Sequence, residues 1–92
     1  MSGTPTVKVQ LPAGLVALFP GAVPRLELPA ASVDGVLDAL DARWPGMADR
    51  LRDSRPAVRR HIAVFVDGRR AGLKTPLSPG AQVVILTRIS GG

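Results

Sequence analysis

The sequence predicts one α+β domain, in which a mixed sheet of four to five strands carries one main helix packed on one face. Three observations support this prediction. The chain has 92 residues, which is room for one domain only. Several short segments alternate apolar and polar residues, or form compact apolar runs, between Gly- and Pro-rich stretches. One longer segment, residues 33–44, places apolar residues at helical spacing instead.

The first two strands are predicted at residues 5–11 and 24–28, where every second residue is apolar. Residues 12–21 between them are rich in Gly and Pro and predict a loop, so the two strands form a hairpin. This loop also contains apolar residues, Phe19 among them. We expect it to fold back over the core; the alternative is an exposed apolar patch that meets a partner.

The helix is predicted to begin after Ser32, whose hydroxyl suits the N-cap, and to end near Arg43, because Pro45 disfavours helical geometry just before it. A further short helical turn is expected between residues 47 and 51. The apolar stripe of the main helix consists of Val33, Val36, Leu37, Leu40 and Trp44. Its acidic, solvated stripe consists of Asp34, Asp38 and Asp41.

The second half of the chain predicts three further strands. Residues 62–66 are a β-branched and aromatic run, and Asp67-Gly68 favours a tight type I′ turn into a short return strand at residues 69–72. Residues 82–88 contain consecutive apolar residues, which predicts a central strand covered on both faces. Trp44 and Phe65 are expected in the core.

The predicted order is strand, strand, helix, strand, short strand, strand, with the last strand central beside the first. This arrangement is the β-grasp, or ubiquitin-like, fold. The sequence therefore predicts a single β-grasp domain over residues 1–88 and a flexible C-terminal diglycine tail over residues 89–92.

Composition excludes several kinds of active site. Cysteine is absent, which excludes disulfides, thiolate zinc sites and a cysteine nucleophile. The one histidine, His61, has no partner nearby in sequence and is expected to be structural or exposed. The helix acids favour a solvated face over a catalytic carboxylate pair, because nothing apolar surrounds them to raise a pKa. No catalytic residue, metal site or bound cofactor is predicted.

The net charge is +5, and five arginines lie between residues 50 and 60, including Arg55, Arg59 and Arg60. The first interpretation of this cluster is ordinary surface charge. The second is a docking patch for an acidic protein, and the third is a nucleic-acid site. Nucleic-acid recognition would favour exposed aromatics, so no nucleic-acid partner is predicted. Residues 9–24 are uncharged but too short and interrupted to span a bilayer, so no membrane partner and a cytoplasmic location are expected.

The end of the sequence offers a different chemistry. Residues without side chains can thread a narrow channel in a partner enzyme, and the last two residues are Gly91 and Gly92. The reactive group would then be the carboxylate of Gly92. Adenylation by ATP would convert it to a mixed anhydride, which a sulfur nucleophile can attack to give a thiocarboxylate. In this reading the protein is substrate and carrier, and the catalytic groups belong to its partners.

With these features the sequence resembles the ThiS/MoaD family of ubiquitin-like sulfur carriers. The segments that carry the resemblance are IAVFVDG at residues 62–68, TPLSPGAQVVIL at 75–86 and ISGG at 89–92. The resemblance implies that a ubiquitin-activating-type, ATP-dependent enzyme adenylates Gly92, which is then converted to a thiocarboxylate. It also implies that Ser90 and Gly91 thread into partner active sites, and that ATP is used by the activating partner rather than bound here.

The resemblance leaves several sulfur acceptors open: an enzyme like cysteine synthase, like the molybdopterin synthase large subunit or like thiazole synthase. The long segments 12–23 and 54–61 favour the MoaD-like or CysO-like branch of the family. The basic segment 54–61 slightly favours the CysO-like branch. Alternatives are a ubiquitin-like modifier conjugated through Gly92, a non-covalent binding module that uses the basic surface, and a subunit whose tail stays inserted in a larger enzyme. The expected partner-docking residues are Arg55, Arg59, Arg60 and Phe19.

Overall fold

The computed structural model describes residues 3–54 and 57–87. These residues form seven strands and three helices, which in chain order are β1 (Thr6–Gln10), α1 (Ala13–Leu18), β2 (Arg25–Pro29), α2 (Val33–Arg43), α3 (Met47–Leu51), β3 (Arg52–Asp53), β4 (Ala57–Val58), β5 (Ile62–Val66), β6 (Arg69–Ala71) and β7 (Gln82–Thr87).

Five strands form one mixed sheet in the order β2-β1-β7-β5-β6. The first hairpin, β1 with β2, is antiparallel, and β7 lies parallel to β1 and antiparallel to β5. The last strand is therefore central, as its continuous apolar run predicts. A hairpin, a helical crossover and a central last strand make this a β-grasp fold, which confirms the predicted fold class.

The core lies between the sheet and α2. Residues Val33, Val36, Leu37 and Leu40 of α2 are fully buried, against alternate residues of β1, β5 and β7. The helix begins and ends where the sequence predicts: the Ser32 hydroxyl accepts from the Gly35 N–H at 3.1 Å, and Arg43 is the last helical residue. This capping satisfies one of the unpaired donors of the first turn.

Residues 13–18 form a short helix instead of the predicted loop. The Pro12 carbonyl accepts from the N–H groups of Leu15 and Val16, and Leu15 is buried. Burial of Leu15 thus stabilises a helix that the Gly- and Pro-rich composition disfavours. The segment does fold over the core, since Val16, Phe19 and Ala22 pack against it, but Leu18 and Val23 remain exposed.

Residues 57–58 form a strand that the sequence does not predict. Ala57–Val58 pairs antiparallel with Arg52–Asp53 in a separate two-stranded sheet. Strands of two residues have no periodicity that a sequence could display. The predicted turn at Asp67-Gly68 is confirmed, with φ of 50° and 85°, and it leads into β6.

Candidate functional site

The predicted tail residues Ser90, Gly91 and Gly92 lie outside the described residues, as does the docking residue Arg55. The structure does fix the point from which the chain runs toward them. The last described residue, Thr87, pairs with Ile62 at the start of β5. The described chain therefore ends in the middle of the sheet, at the end where β5 begins.

The two predicted docking arginines that are described lie close to that end. Arg59 and Arg60 immediately precede β5, and both line a groove beside β6. The Arg59 Nε–H donates to the backbone carbonyl of Asp49. His61 follows them and is exposed, as expected. The structure thus brings two of the predicted docking residues into one groove.

Phe19, the fourth predicted docking residue, belongs to a different part of the molecule. Its ring lies beside Gly46, where α3 begins, and it is partly buried against the core. It does not line the arginine groove. The predicted docking residues therefore do not form one patch.

The sheet face that points away from α2 carries an apolar stripe that sequence reasoning placed inside the protein. The stripe consists of Ala63, Phe65, Val84 and Leu86, with Phe65 opposite Val84 and Ala63 opposite Leu86 across β5 and β7. Leu86 is 42% exposed. Two predictions are therefore wrong: β7 is not covered on both faces, and Phe65 lies on the open face rather than in the core.

The physical reason for both errors is the same. An apolar run in a central strand has two apolar faces whether or not both are covered, and this fold has one long helix among its described residues, packed on the opposite face. On the open face, the Arg70 guanidinium lies 6.0 Å from the centre of the Phe65 ring, within cation–π range.

Polar side chains border the stripe. Next to β7 on the open face lie Lys8 and Gln10 of β1, then Arg25 and Glu27 of β2, and together with β7 they line a shallow depression of about 620 Å³. An apolar centre inside a polar border is the composition of a protein–protein interface. We call the four apolar residues and this border the open sheet face.

The acidic stripe of α2 makes contacts with the segment that follows the helix. Arg52 binds two of its carboxylates, Asp34 and, at 2.7 Å, Asp38. The hydrogen bond to Asp38 raises the pKa of Arg52 above its ordinary value, which keeps the guanidinium charged. The third acid, Asp41, accepts from the N–H groups of Gly46 and Ala48 at 3.0 and 3.1 Å and so caps α3. These carboxylates hold α2 against the segment that follows it.

The part of the chain that the structure describes contains no group of three metal-ligating side chains of the His, Cys, Asp or Glu types. None of its helices is long and apolar enough to cross a membrane. The described residues offer two surfaces: the open sheet face, which includes β7, the strand that leads to the tail, and the arginine groove beside the edge strand β6.

Known proteins share this fold. CysO from Amycolatopsis orientalis, in its complex with BexX, is similar to this chain with 26% identity and a TM-score of 0.81, covering 94% of this chain and 99% of that one. The small archaeal modifier protein 1 from Methanosarcina acetivorans is also similar, with 26% identity and a TM-score of 0.77 over 99% of this chain and 100% of its own.

CysO from Mycobacterium tuberculosis has the same fold, with 22% identity and a TM-score of 0.79 over 90% of this chain and 99% of that one. Among curated proteins, no sequence matches this chain significantly. The sequence model of the ThiS family matches residues 9–92, which is nearly the whole chain. The chain belongs to the ThiS family.

Proposed function

We propose that this protein is a sulfur carrier and that its reactive group is the C-terminal carboxylate of Gly92. The observation that carries the proposal is the family match, which extends through residue 92 and so includes Gly91 and Gly92. The central strand β7 supports it, because β7 leads from the rigid sheet directly toward these residues. The protein acts as a co-substrate of partner enzymes rather than as an enzyme.

The chemistry takes two steps. In the first, the Gly92 carboxylate attacks the α-phosphorus of ATP, pyrophosphate leaves and an acyl adenylate forms. In the second, hydrosulfide attacks the acyl carbon, AMP leaves, and loss of the sulfur-bound proton gives a thiocarboxylate. The activating partner supplies the ATP site and the catalytic groups. Glycine suits the last two positions because a residue without a side chain can enter a narrow active site and adopt backbone angles that other residues avoid.

The open sheet face is the surface by which we propose that the activating enzyme holds the carrier. Its apolar stripe runs along β5 and β7, and β7 is the strand that continues into the tail. A partner that binds Val84 and Leu86 is thus positioned to receive the tail. The polar border supplies hydrogen-bond and charge contacts at the rim, where they contribute more to orientation than to affinity.

The sulfur acceptor is proposed to be a biosynthetic enzyme that forms cysteine, molybdopterin or a specialised metabolite. The likeness to a CysO protein solved in a complex with BexX supports an acceptor enzyme that binds the carrier. The basic segment with Arg59 and Arg60 is a second docking surface available for such a partner.

Intact mass measurement tests the proposal. The chain ending at Gly92 is incubated with ATP, a family adenylating enzyme and a sulfide source. We expect a gain equal to the difference between sulfur and oxygen, localised to Gly92 by fragmentation. A matched variant with one alanine added after Gly92 keeps the fold and should gain nothing. An unmodified Gly92 beside an enzyme that activates its own carrier would contradict the proposal.

Protein modification is the second candidate, favoured by the likeness to a small archaeal modifier protein. It shares the adenylation step but ends in an isopeptide bond between Gly92 and a lysine of a target. Expression of the tagged chain, followed by digestion and a search for lysines that carry a Gly92 remnant, separates the two. Remnants on many proteins indicate a modifier, whereas a thiocarboxylate without remnants indicates a carrier.

A further inference from the structure

The groove beside β6, which includes the docking arginines Arg59 and Arg60, also has apolar and backbone features that docking of a sulfur acceptor does not require. It has a volume of about 320 Å³. Its lining includes three arginines, Arg59, Arg60 and Arg70, and three apolar residues that we call its floor, Val58, Ala71 and Leu73. Leu73 is buried, and Val58 is half-buried. The groove lies along β6, which is an edge strand of the sheet.

On this edge strand, the backbone N–H and C=O of one residue, Arg70, point away from the sheet. Because the turn at Asp67-Gly68 has two residues with positive φ, its flanking residues Val66 and Arg69 form a hydrogen-bonded pair. Hydrogen-bonded and non-hydrogen-bonded pairs alternate along an antiparallel ladder. Arg70, opposite Phe65, is therefore in a non-hydrogen-bonded pair, and its N–H and C=O point away from β5. An unpaired N–H and C=O on an edge strand is a template for another strand.

None of the three arginines that line this groove forms an ion pair with a described carboxylate. Both ion pairs found in residues 3–54 and 57–87 belong to Arg52, which lies on β3 and does not line the groove. Arg59 donates to a carbonyl rather than to a carboxylate, and Arg70 lies over an aromatic ring. The Arg60 side chain is exposed and has no carboxylate partner within those residues. Charges on an edge strand ordinarily prevent another strand from pairing with it. A strand of opposite charge neutralises them and can still pair.

We propose that this groove binds an extended acidic segment of a partner protein, which adds to β6 as a further strand. Its backbone pairs with the N–H and C=O of Arg70, its carboxylates meet Arg59, Arg60 and Arg70, and an apolar side chain occupies the floor at Val58 and Leu73. This mode combines main-chain hydrogen bonds for affinity with side-chain pockets for specificity. It depends on neither the tail nor its chemistry.

An acidic protein segment fits these features better than nucleic acid does. A phosphate backbone carries negative charge but cannot pair with both the N–H and the C=O of Arg70 in strand geometry. The apolar floor also makes no favourable contact with a phosphate or a ribose, because both are polar. A single-stranded RNA is therefore included in the experiment as the competing polyanion.

Titration of the isotope-labelled full chain with an acidic peptide, followed by amide NMR, tests the proposal. The peptide alternates glutamate with valine over about seven residues, the length of a typical strand. We expect shift changes at Arg69, Arg70, Gly72 and Arg60, and slower hydrogen exchange at the Arg70 amide. Shift changes confined to the open sheet face would overturn the proposal, as would no binding at millimolar peptide.

Matched peptides and variants separate strand addition from simple charge attraction. A peptide N-methylated at alternate residues keeps its charge but cannot pair, and should bind at least tenfold more weakly. The double variant R60Q/R70Q should also lose about tenfold, because hydrogen bonds to charged groups are the strong ones. Arg25→Gln, on the opposite edge strand, should change affinity less than twofold. Equal binding of the methylated peptide, or tighter binding of oligouridylate RNA, would overturn the proposal.

Discussion

The two faces of the central strand β7 make opposite use of the same kind of residue. Val83 and Ile85 point toward α2 and are 0% exposed, whereas Val84 and Leu86, their neighbours in the chain, point away from it and are partly or largely accessible. All four are β-branched or aliphatic. The difference shows that the side of the sheet, set by the position along the strand, decides whether an apolar residue holds the fold together or remains available to a partner.

The open face keeps its apolar stripe narrow. Charged residues flank it on both sides, with Lys8 on β1 and Arg70 on β6. A narrow apolar stripe between charges limits nonspecific association, whereas a wide one would promote it. The inner face needs no such border, because α2 removes it from water.

The largest expected effect is on the inner face. Replacing Ile85 with alanine deletes methyl and methylene groups in a fully buried position, so it leaves a cavity under α2. We expect the free energy of unfolding to fall by about 3 kcal/mol, measured by urea denaturation.

Leu86→Ala is the matched control, since it shortens a side chain of the same size one residue further along β7. Because Leu86 is 42% exposed, the loss should be about 1 kcal/mol or less. Comparable losses at the two positions would mean that the open face is covered in solution, and the distinction between the faces would fail.

The next effect concerns the partner rather than the fold, and it depends on the proposed carrier function. Leu86→Glu places a charge in the apolar stripe, where an activating enzyme would have to desolvate it. We expect the kcat/KM of the adenylating enzyme for the carrier to fall at least about tenfold, as for a central interface residue. Pyrophosphate release measures this rate.

Leu18→Glu is the control for this second prediction. Leu18 is 54% exposed, but it lies on α1 and outside the open sheet face. It should leave the adenylation rate within about twofold, because rim and remote residues contribute little. Equal losses in the two variants, with both still folded by urea denaturation, would show that the enzyme does not use the open sheet face.

Sequence reasoning predicts the inner face well and the open face poorly. The alternation that includes Val7 and Val9 identifies the buried side of β1, and the helical spacing identifies the buried side of α2. These two apolar sides pack against each other in the core. The apolar run at residues 83–86 does not alternate, so it does not show which side of the strand is buried by the fold. A face that binds a partner part of the time and a face covered by a second layer of the fold both select apolar residues. Phe65 and Leu86 therefore cannot be assigned to the core or to the surface from the sequence.

The arginine groove shows the same limit in another way. Arg59 and Arg60 are adjacent in sequence, so their clustering is visible before the fold is known. Arg70 reaches the groove because the β5–β6 hairpin folds it back beside them. The two-residue turn that makes the hairpin is predictable, but the position of β4 across the groove is not, since a strand of two residues gives no periodic signal.

The smallest expected effect lies on the solvent side of α2, where Arg52 binds Asp34 and Asp38. All three side chains are at least a quarter exposed, so solvent screens the pair, and Arg52→Met should cost about 0.5 kcal/mol or less. Methionine keeps the apolar stem, so the measured loss is that of the charge. Because the pKa of Arg52 is raised from an already high value, the contribution should be constant around neutral pH and be lost as the pH rises into the strongly alkaline range. Urea denaturation at low and high ionic strength checks this, with exposed Arg43→Met as the control. A loss that is insensitive to salt and larger than that of Ile85→Ala would mean that the contacts of α2 with Arg52, rather than its contacts with the sheet, hold the helix in place.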